Sequence, residues 1–199
     1  MSEAAAKLVR ARLGEGAALL EAMRGDECVA QVAAVAELTA DAYREGGKLL
    51  LFGNGGSAAD AIHVAAEFVG RYLLERRPLP AIALVDNPSA LTAIGNDYGY
   101  EEVFARQVRA LGAAGDVALG FSTSGRSPNV VRGLEAARAA GLATVAMTGA
   151  EPGPVGAAAD RVIAIPSTDT PRVQEGQMIA AHAICEWVEA RLATEDGAA

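Results

Sequence analysis

Short apolar runs alternate with longer helix-like segments along most of the chain. Five of these runs have five or six residues, the length of a strand, and each ends at a turn or helix signal. They predict strands over 48–52, 81–85, 116–121, 143–148 and 161–165. Apolar strands that alternate with helices are typical of a parallel sheet covered on both faces. We therefore predict an α/β fold, a three-layer doubly wound parallel sheet with right-handed crossovers.

Helical patterns fill the chain before and between these strands. Two helices, predicted over 2–23 and 27–44, are expected to form an N-terminal helical hairpin that packs on the sheet or on another subunit. The later segments predict helices over 57–72, 100–111, 127–140 and 171–192, a short helical turn over 89–94, and a loop or brief helix over 151–159. We expect a single domain that comprises N-terminal helices (1–46), an α/β core (47–193) and a disordered tail (194–199).

The composition limits the classes of function. The chain of 199 residues has 17 Lys and Arg against 25 Asp and Glu, and its net charge of −8 argues against nucleic acid as a main partner. Cys28 and Cys185 are too far apart in sequence for a metal-ligand motif and do not make a disulfide framework. No apolar run approaches the roughly 20 residues of a membrane span. We expect a soluble, cytoplasmic protein without a nucleic-acid or membrane partner.

Two turns that follow predicted strands have the composition of phosphate-binding loops. GNGGS at 53–57 follows the first strand, and STSGRS at 122–127 follows the third. Each turn opens a predicted helix, whose unpaired N–H groups and positive dipole end favour an anion. The first turn lacks the Lys of a P-loop and the last Gly of a dinucleotide motif, so a plain tight turn is the alternative. The second carries four hydroxyls, whereas a helix cap needs only one, and phosphate binding is favoured there.

The two histidines of the chain suggest chemistry that the turns do not supply. His63 and Glu67 are four residues apart on one predicted helix, so they share a face and could bind a metal ion, exchange protons, or simply be solvated. His182 lies in an apolar stretch, where a satisfied core histidine is the alternative. Gln174 lies about 12 Å from His182 along an ideal helix. Both could reach one ion only if long side chains lean together or a second subunit supplies one of them.

Three other polar positions have no decisive pattern. Arg71 lies near the end of a predicted element and could be plain surface. Asn96 and Asp97 belong to a segment with the composition of a turn, and a structural role and a ligand-binding role are equally supported there.

Taken in order, these motifs resemble the phosphoheptose isomerases, which have the sugar isomerase (SIS) fold. The resemblance spans nearly the whole chain, and several separated motifs match in sequence order. The matching segments are 53–57, 60–63, 67–72, 95–99, 122–125, 172–175 and His182.

The resemblance implies an aldose–ketose isomerase that converts sedoheptulose 7-phosphate to D-glycero-D-manno-heptose 7-phosphate through an enediol. It also implies a homotetramer with active sites built between subunits, which would explain how Gln174 and His182 come near His63 and Glu67. One Zn²⁺ per subunit is implied, with the ligands His63, Glu67, Gln174 and His182.

The same resemblance assigns roles to single residues. Glu67 is expected to be the base at one carbon, and His182 to fill the opposite acid–base role. The implied substrate-binding residues are Asn54, Gly55, Gly56, Ser57, Arg71, Asn96, Asp97, Ser122, Thr123, Ser124, Ser127 and Gln174. One departure is Pro171 before Arg172, where members of the family often have an acidic residue.

Two functions without catalysis are the alternatives. One is an SIS protein that binds a replication initiator, and the other is a sugar-phosphate sensor. The presence of Glu67 and His182 favours the enzyme over the initiator-binding protein. A regulator would need a DNA-binding segment, and none accompanies these motifs, which weakens the sensor alternative.

Overall fold

Five parallel strands form one sheet in the computed structural model, which describes residues 2–195. The strand order is β2-β1-β3-β4-β5, and every neighbouring pair is parallel. The strands are β1 (Leu49–Phe52), β2 (Ala81–Ala83), β3 (Val117–Ser122), β4 (Ala143–Thr148) and β5 (Arg161–Ala164). The predicted α/β fold class is confirmed.

Eight α-helices accompany the sheet within the described part of the chain. They are α1 (Glu3–Met23), α2 (Asp26–Arg44), α3 (Gly56–Val69), α4 (Pro88–Tyr98), α5 (Ala105–Leu111), α6 (Pro128–Ala139), α7 (Gly153–Ala157) and α8 (Thr170–Glu195). A 3₁₀ turn, Tyr100–Glu102, lies between α4 and α5.

The helices cover both faces of the sheet, and the side chains of β1 show why its residues are continuously apolar. Leu49 and Leu51 belong to the core beneath α2, α3 and α8, whereas Leu50 and Phe52 belong to the core beneath α5 and α6. All four are buried. A strand that is buried on both faces needs apolar residues at every position, which is the pattern that predicted it.

Sequence reasoning was wrong about the segment between β2 and α5. The predicted short turn over 89–94 is the eleven-residue helix α4, and the predicted helix over 100–111 is divided into the 3₁₀ turn and α5. α4 contains several poor helix formers, so its helical pattern is weak in the sequence. Its start is nevertheless well defined, because the side chain of Asn87 accepts a hydrogen bond from the N–H of Ala90 at 3.0 Å. Gly99, with φ of 89°, ends the helix.

The two N-terminal helices pack against α8, and α2 also packs against the edge strand β5. α1 contacts α8 near its own carboxyl end, where its buried residues Leu19 and Met23 lie, and α2 packs on α8 and β5. At the other end α8 continues to Glu195, beyond the start of the predicted tail, and residues 196–199 lie outside the described residues. No helix among residues 2–195 combines the length and apolar character needed to cross a bilayer.

The strand order creates a switch point between β1 and β3. From β1 the chain crosses to β2 on one side, and it returns to place β3 on the other side of β1. Phe52 at the end of β1 is paired with Gly120 near the end of β3. Ligands of doubly wound sheets bind beyond the carboxyl ends of the strands at such a switch point. Both predicted phosphate-binding turns begin there.

Candidate active site

The turn after β1 is shaped by glycine and leads directly into α3. Gly55 has a φ of 57°, which side chains rarely adopt, and a Cβ on Gly53 would lie 2.8 Å from the Cβ of Ser57. Ser57 is buried in the first turn of α3. Among the described residues, no side chain caps the start of this helix at Gly55.

The turn after β3 holds its hydroxyl groups together. The Oγ atoms of Ser122 and Ser127 lie 2.9 Å apart, and Ser124 Oγ accepts a hydrogen bond from the N–H of Arg126 at 3.3 Å. Ser127 is the residue before α6, but its side chain makes no capping hydrogen bond to that helix. The hydroxyl therefore bonds across the turn, and the alternative in which the turn serves only as a helix cap loses support.

A pair of asparagines joins the two turns. Asn54 Nδ2 donates to Asn129 Oδ1 at 2.8 Å, and Asn129 Nδ2 donates back to Asn54 Oδ1, also at 2.8 Å. The Tyr100 hydroxyl donates to the same oxygen of Asn54 at 3.3 Å. Sequence reasoning missed Asn129. The signal that could have found it is an amide residue in the first turn of α6, on the side of that helix that packs towards the sheet.

Three of the four predicted metal ligands, which include both predicted acid–base residues, form a cluster. His63 Nε2 lies 3.1 Å from His182 Nε2 and 3.3 Å from Glu67 Oε1. One ligand atom from each of these three residues lies within 4.8 Å of the others. We call His63, Glu67 and His182 the His–Glu–His cluster.

This cluster forms because α3 and α8 run side by side in the same direction. The Gln174 amide lies over Gly56 at the start of α3, His182 meets His63 further along, and Glu189 meets the chain just after α3. One chain is thus sufficient to bring His182 to His63, so this contact does not require the second subunit that the implied tetramer offered as an explanation. The parallel packing of two helices supplies what their spacing in sequence could not indicate.

Gln174 lies at the other end of this helix pair. A Cβ on Gly56 would overlap Gln174 Nε2, so the amide is packed against the first turn of α3. His63 is seven residues further on, or about 10 Å along the helix. This places Gln174 beside the turn that is predicted to bind phosphate, and its role as a fourth metal ligand also stays a prediction.

The spacing of the His–Glu–His cluster fits a zinc ion. Two nitrogens and a carboxylate oxygen are common zinc ligands, and catalytic zinc sites often have three protein ligands with one position left open. Bond lengths of about 2.0–2.1 Å and tetrahedral angles require ligand atoms about 3.3 Å apart. The two measured separations from His63 Nε2 are 3.1 and 3.3 Å.

Tyr72 completes the aromatic surroundings of His182. The two rings are stacked, with centroids 5.4 Å apart and planes inclined by 28°. The rings of His63 and His182 meet edge to face at 5.3 Å. Tyr72 lies inside a motif segment of the sequence, but sequence reasoning gave it no role, because nothing local shows that the chain after α3 turns back onto α8.

Asp60 lies one turn before His63 on α3. Burial raises the pKa of Asp60 to about 6, and the nearby His63 partly opposes this shift. Its Oδ2 atom is buried without a hydrogen-bond partner. Asp60 therefore holds a proton more readily than an exposed aspartate does.

The remaining predicted residues are exposed or half-buried. Asn96 and Asp97 belong to α4 and not to the predicted turn, and the Asn96 amide donates to the Asp97 carboxylate at 2.7 Å. Arg71 is more than half exposed and lies 3.7 Å from Glu75. Thr123 is half-buried in the turn after β3. The structure joins none of these four site residues to the His–Glu–His cluster among the described contacts, so their substrate contacts stay predictions.

Comparison with known proteins places these features in a family context. Residues 13–149 match the family model described as the SIS domain. A phosphoheptose isomerase from Geobacter sp. (strain M21) is 52% identical over 184 residues, which cover 92% of this chain and 95% of that protein. A phosphoheptose isomerase from Roseiflexus sp. (strain RS-1) is 54% identical over 164 residues, which cover 82% of this chain and 83% of that protein.

Solved structures agree with the sequence matches. The phosphoheptose isomerase GmhA from Neisseria gonorrhoeae superposes with a TM-score of 0.87 at 40% identity, covering 92% of this chain and 98% of that one. A phosphoheptose isomerase from Francisella tularensis has the same TM-score at 29% identity, with 96% of this chain and 100% of that chain covered.

Proposed function

The chain belongs to the SIS domain family and, within it, to the phosphoheptose isomerases, and we propose that it interconverts sedoheptulose 7-phosphate and D-glycero-D-manno-heptose 7-phosphate at the site described above. The observation that carries this proposal is that α3 begins at one of the two turns proposed to bind phosphate and also carries His63 and Glu67 of the His–Glu–His cluster. The turns would bind the phosphate, and the cluster would act on the carbonyl end of the sugar.

The phosphate end is supported by the hydroxyls and helix starts of the two turns. Ser122 and Ser127 face one another at 2.9 Å, and Ser57 lies in the first turn of α3. Hydroxyl and backbone N–H donors bind a phosphate without a general positive field, which suits a chain with a net charge of −8. We propose that Thr123 and Ser124 complete this set of donors.

The distance between the two ends suits an elongated substrate. His63 follows Gly56 by seven residues, which corresponds to about 10 Å along α3. A seven-carbon sugar phosphate that is anchored at the start of α3 can therefore extend along the helix towards the cluster. In this arrangement Asn54 and Gln174 would lie near the sugar chain, beside the phosphate.

The proposed chemistry is proton transfer between adjacent carbons through an enediol. Glu67 removes the proton from the carbon next to the carbonyl, and His182, whose Nε2 faces His63, would donate a proton to the carbonyl oxygen from its other ring nitrogen, Nδ1. The enediol becomes the aldose when a proton is returned to the former carbonyl carbon and the hydroxyl on the other carbon loses its proton to form the new carbonyl. The bonds made and broken balance, and the proton that Glu67 takes up is available for return.

We propose that His63, Glu67 and His182 bind one Zn²⁺ per chain, with Gln174 as the fourth candidate ligand. A bound zinc ion would supply Lewis-acid polarisation of the carbonyl. The Oε1 atom of the Glu67 carboxylate faces His63, which leaves Oε2 for the proton transfer. The zinc content per chain, measured by elemental analysis of the wild type and of His63→Ala, tests this assignment: one equivalent in the wild type and a strong loss in the variant are expected.

We also propose that the chain forms a homotetramer in the cytosol. α1 exposes apolar side chains on several successive turns, among them Leu8, Val9 and Leu13, the last of which is 69% exposed. Apolar side chains at this density on one helix favour contact with another copy of the chain. Cys28 and Cys185 are both free and buried, which suits a reducing compartment.

The variant Glu67→Gln tests the proposed function most simply. Glutamine keeps the size of the side chain but cannot remove a proton, so turnover of sedoheptulose 7-phosphate should fall by about 10²–10⁴-fold while binding of the substrate, measured by calorimetry, changes little. The matched control is Glu135→Gln on the exposed face of α6, which should keep the wild-type rate. Wild-type turnover by Glu67→Gln would contradict the assignment of Glu67 as the base.

A further inference from the structure

The chain that follows α3 is irregular, and its backbone is bound by one carboxylate. The N–H groups of Tyr72, Leu73 and Leu74 donate to Glu189 on α8, at 2.8, 2.5 and 2.6 Å. Backbone N–H groups outside helices and strands need such partners when water is excluded. Three successive N–H groups on a single side chain fix the path of this segment.

A guanidinium binds the same region from the other side. Arg76 donates to the carbonyls of Glu67 at 2.8 Å, Phe68 at 3.0 Å and Gly70 at 3.2 Å, which belong to the last turn and end of α3. These carbonyls have no partner within the helix, and a cation at the carboxyl end of a helix is favourable. The Arg76 side chain therefore caps the carboxyl end of α3, the helix that carries Glu67.

The two charged groups also bind each other. Arg76 Nε lies 3.3 Å from Glu189 Oε1, and both side chains are only 1% exposed. A buried ion pair is seldom the most stabilising choice, because two charges lose their hydration, and well-packed apolar residues of similar size often serve as well. The loss of hydration is offset if the pair fixes the position of the backbone that it binds, which apolar side chains would not fix.

The residues that this geometry fixes belong to the proposed site. The Glu67 carbonyl is one of the acceptors of Arg76, and the Tyr72 N–H is one of the donors to Glu189. The Tyr72 ring stacks on His182, which lies two turns before Glu189 on α8. The same pair of charges thus restrains the helix end that carries Glu67 and the ring that packs on His182.

We propose that the buried Arg76–Glu189 pair is a positioning device for the proton-transfer residues Glu67 and His182. The inference rests on the proposed function, because it concerns the geometry of that reaction. Both side chains are only 1% exposed, so neither is expected to contact the substrate. They act through the backbone of α3 and through Tyr72, and displacement of reacting groups by about 1 Å can cost a hundredfold in rate.

Two conservative variants test the proposal. Glu189→Gln keeps the shape but removes the charge and replaces one acceptor by an NH₂ group, and Arg76→Lys keeps the charge but loses the forked donors. Each should lower kcat for sedoheptulose 7-phosphate by about 10–100-fold, with KM within about threefold of the wild type. Substrate binding should persist because the phosphate-binding turns are untouched.

The control separates positioning from stability. Val188→Ala is also a change at a buried position of α8, next to Glu189 in sequence but facing the apolar core. It should lower the melting temperature to a similar extent while kcat per folded enzyme stays near the wild-type value. If Glu189→Gln and Arg76→Lys lose stability but keep the wild-type kcat, the pair is only structural and the proposal is overturned.

Hydrogen exchange of the wild-type protein provides a test that needs no variant to fold. The amide protons of Tyr72, Leu73 and Leu74 should exchange slowly, although they lie outside helices and strands, and fast exchange at all three would overturn the proposal. This measurement does not depend on the substrate. Absence of isomerase activity in the wild type would contradict the proposed function, whereas fast exchange in an active enzyme would contradict the positioning device alone.

Discussion

At the scale of single residues, the amide of Asn129 at the start of α6 links the two turns that we propose to bind phosphate. Its side chain is almost fully buried and exchanges two hydrogen bonds of 2.8 Å with Asn54. Neither residue could be replaced by a carboxylate without placing two oxygens face to face. The position of Asn54 in the first turn therefore depends on a residue 75 positions later in the chain.

The variant Asn129→Asp should weaken the binding of phosphate. It places an acceptor against Asn54 Oδ1, and an unsatisfied buried polar group costs about 1–3 kcal/mol. The added negative charge also repels an anionic ligand. We expect KM for the sugar phosphate and the inhibition constant for inorganic phosphate to rise at least about tenfold, since each 1.4 kcal/mol is a factor of ten.

A second asparagine provides the control for this variant. Asn87 caps α4 and is exposed, and aspartate is an equally good cap. Asn87→Asp should leave KM and the melting temperature unchanged. Equal effects of the two substitutions on KM would show that charge alone, and not the link between the turns, is responsible.

Which single residues could be predicted depends on whether their signal is local. The hydroxyls of the turn at 122–127 stand out by composition, and His63 and Glu67 by their spacing on one helix. The contact of His182 with His63 spans 119 positions and depends on how α8 lies against α3, which no local pattern encodes. Asn129 and Tyr72 were missed for the same reason.

At the scale of elements, α3 and α8 form the frame of the site. They run in the same direction, and the ion pair of Arg76 and Glu189 lies where α3 ends. Burial by itself would raise the pKa of the Glu189 carboxyl, but the N–H groups of Leu74, Leu73 and Tyr72, together with Arg76, hold the pKa below its ordinary value.

This lowered pKa predicts how stability depends on pH. A carboxyl whose pKa is lower in the folded state stabilises the fold above its unfolded pKa of about 4.3, and the contribution is lost as the pH falls through the folded pKa. The free energy of unfolding should therefore be lower in Glu189→Gln than in the wild type by about 3 kcal/mol above pH 5. The difference should shrink at lower pH.

Chemical denaturation between pH 3 and 8 measures this difference. Glu135→Gln, which removes an exposed ion pair on α6, should change the free energy by less than about 0.5 kcal/mol at every pH. A difference between the wild type and Glu189→Gln that stays constant down to pH 3 would show that the loss of charge is not the cause.

Elements with a strong apolar pattern were predicted, and elements held by tertiary contacts were not. The three central strands follow from runs that are buried on both faces, such as Leu49–Phe52, and the edge strands β2 and β5 follow from runs that are only partly buried. α4 was taken for a short turn because its Thr, Gly, Asn and Asp residues are poor helix formers. Its cap and its packing beside the 3₁₀ turn outweigh that weak propensity.

At the scale of the whole molecule, exposed apolar side chains predict association. A groove of about 590 Å³ between α1, α2 and α8 is lined mainly by apolar residues, and Trp187, the only tryptophan of the chain, lies in it with 42% exposure. We expect light scattering to give four times the chain mass of 20.3 kDa. A monomeric mass at micromolar concentration would contradict the proposed tetramer.

The fold class follows from sequence because alternation of strands and helices is a property of the whole chain. The family follows from several short motifs in a fixed order, and no single motif would suffice. What sequence does not specify is which groups on distant elements meet, since that depends on strand order at the switch point and on the register of α8 against α3.

The most direct test is the conversion of sedoheptulose 7-phosphate in deuterated water, followed by NMR. The wild type and the variant Glu67→Gln are compared, both supplied with zinc. We predict that the wild type forms the aldose and that carbon 2 of the product carries deuterium, because the transferred proton exchanges with solvent at the base. Glu67→Gln should form neither product nor deuterated substrate at a comparable rate. Absence of any aldose with the wild type, or equal deuterium incorporation by both proteins, would contradict the account.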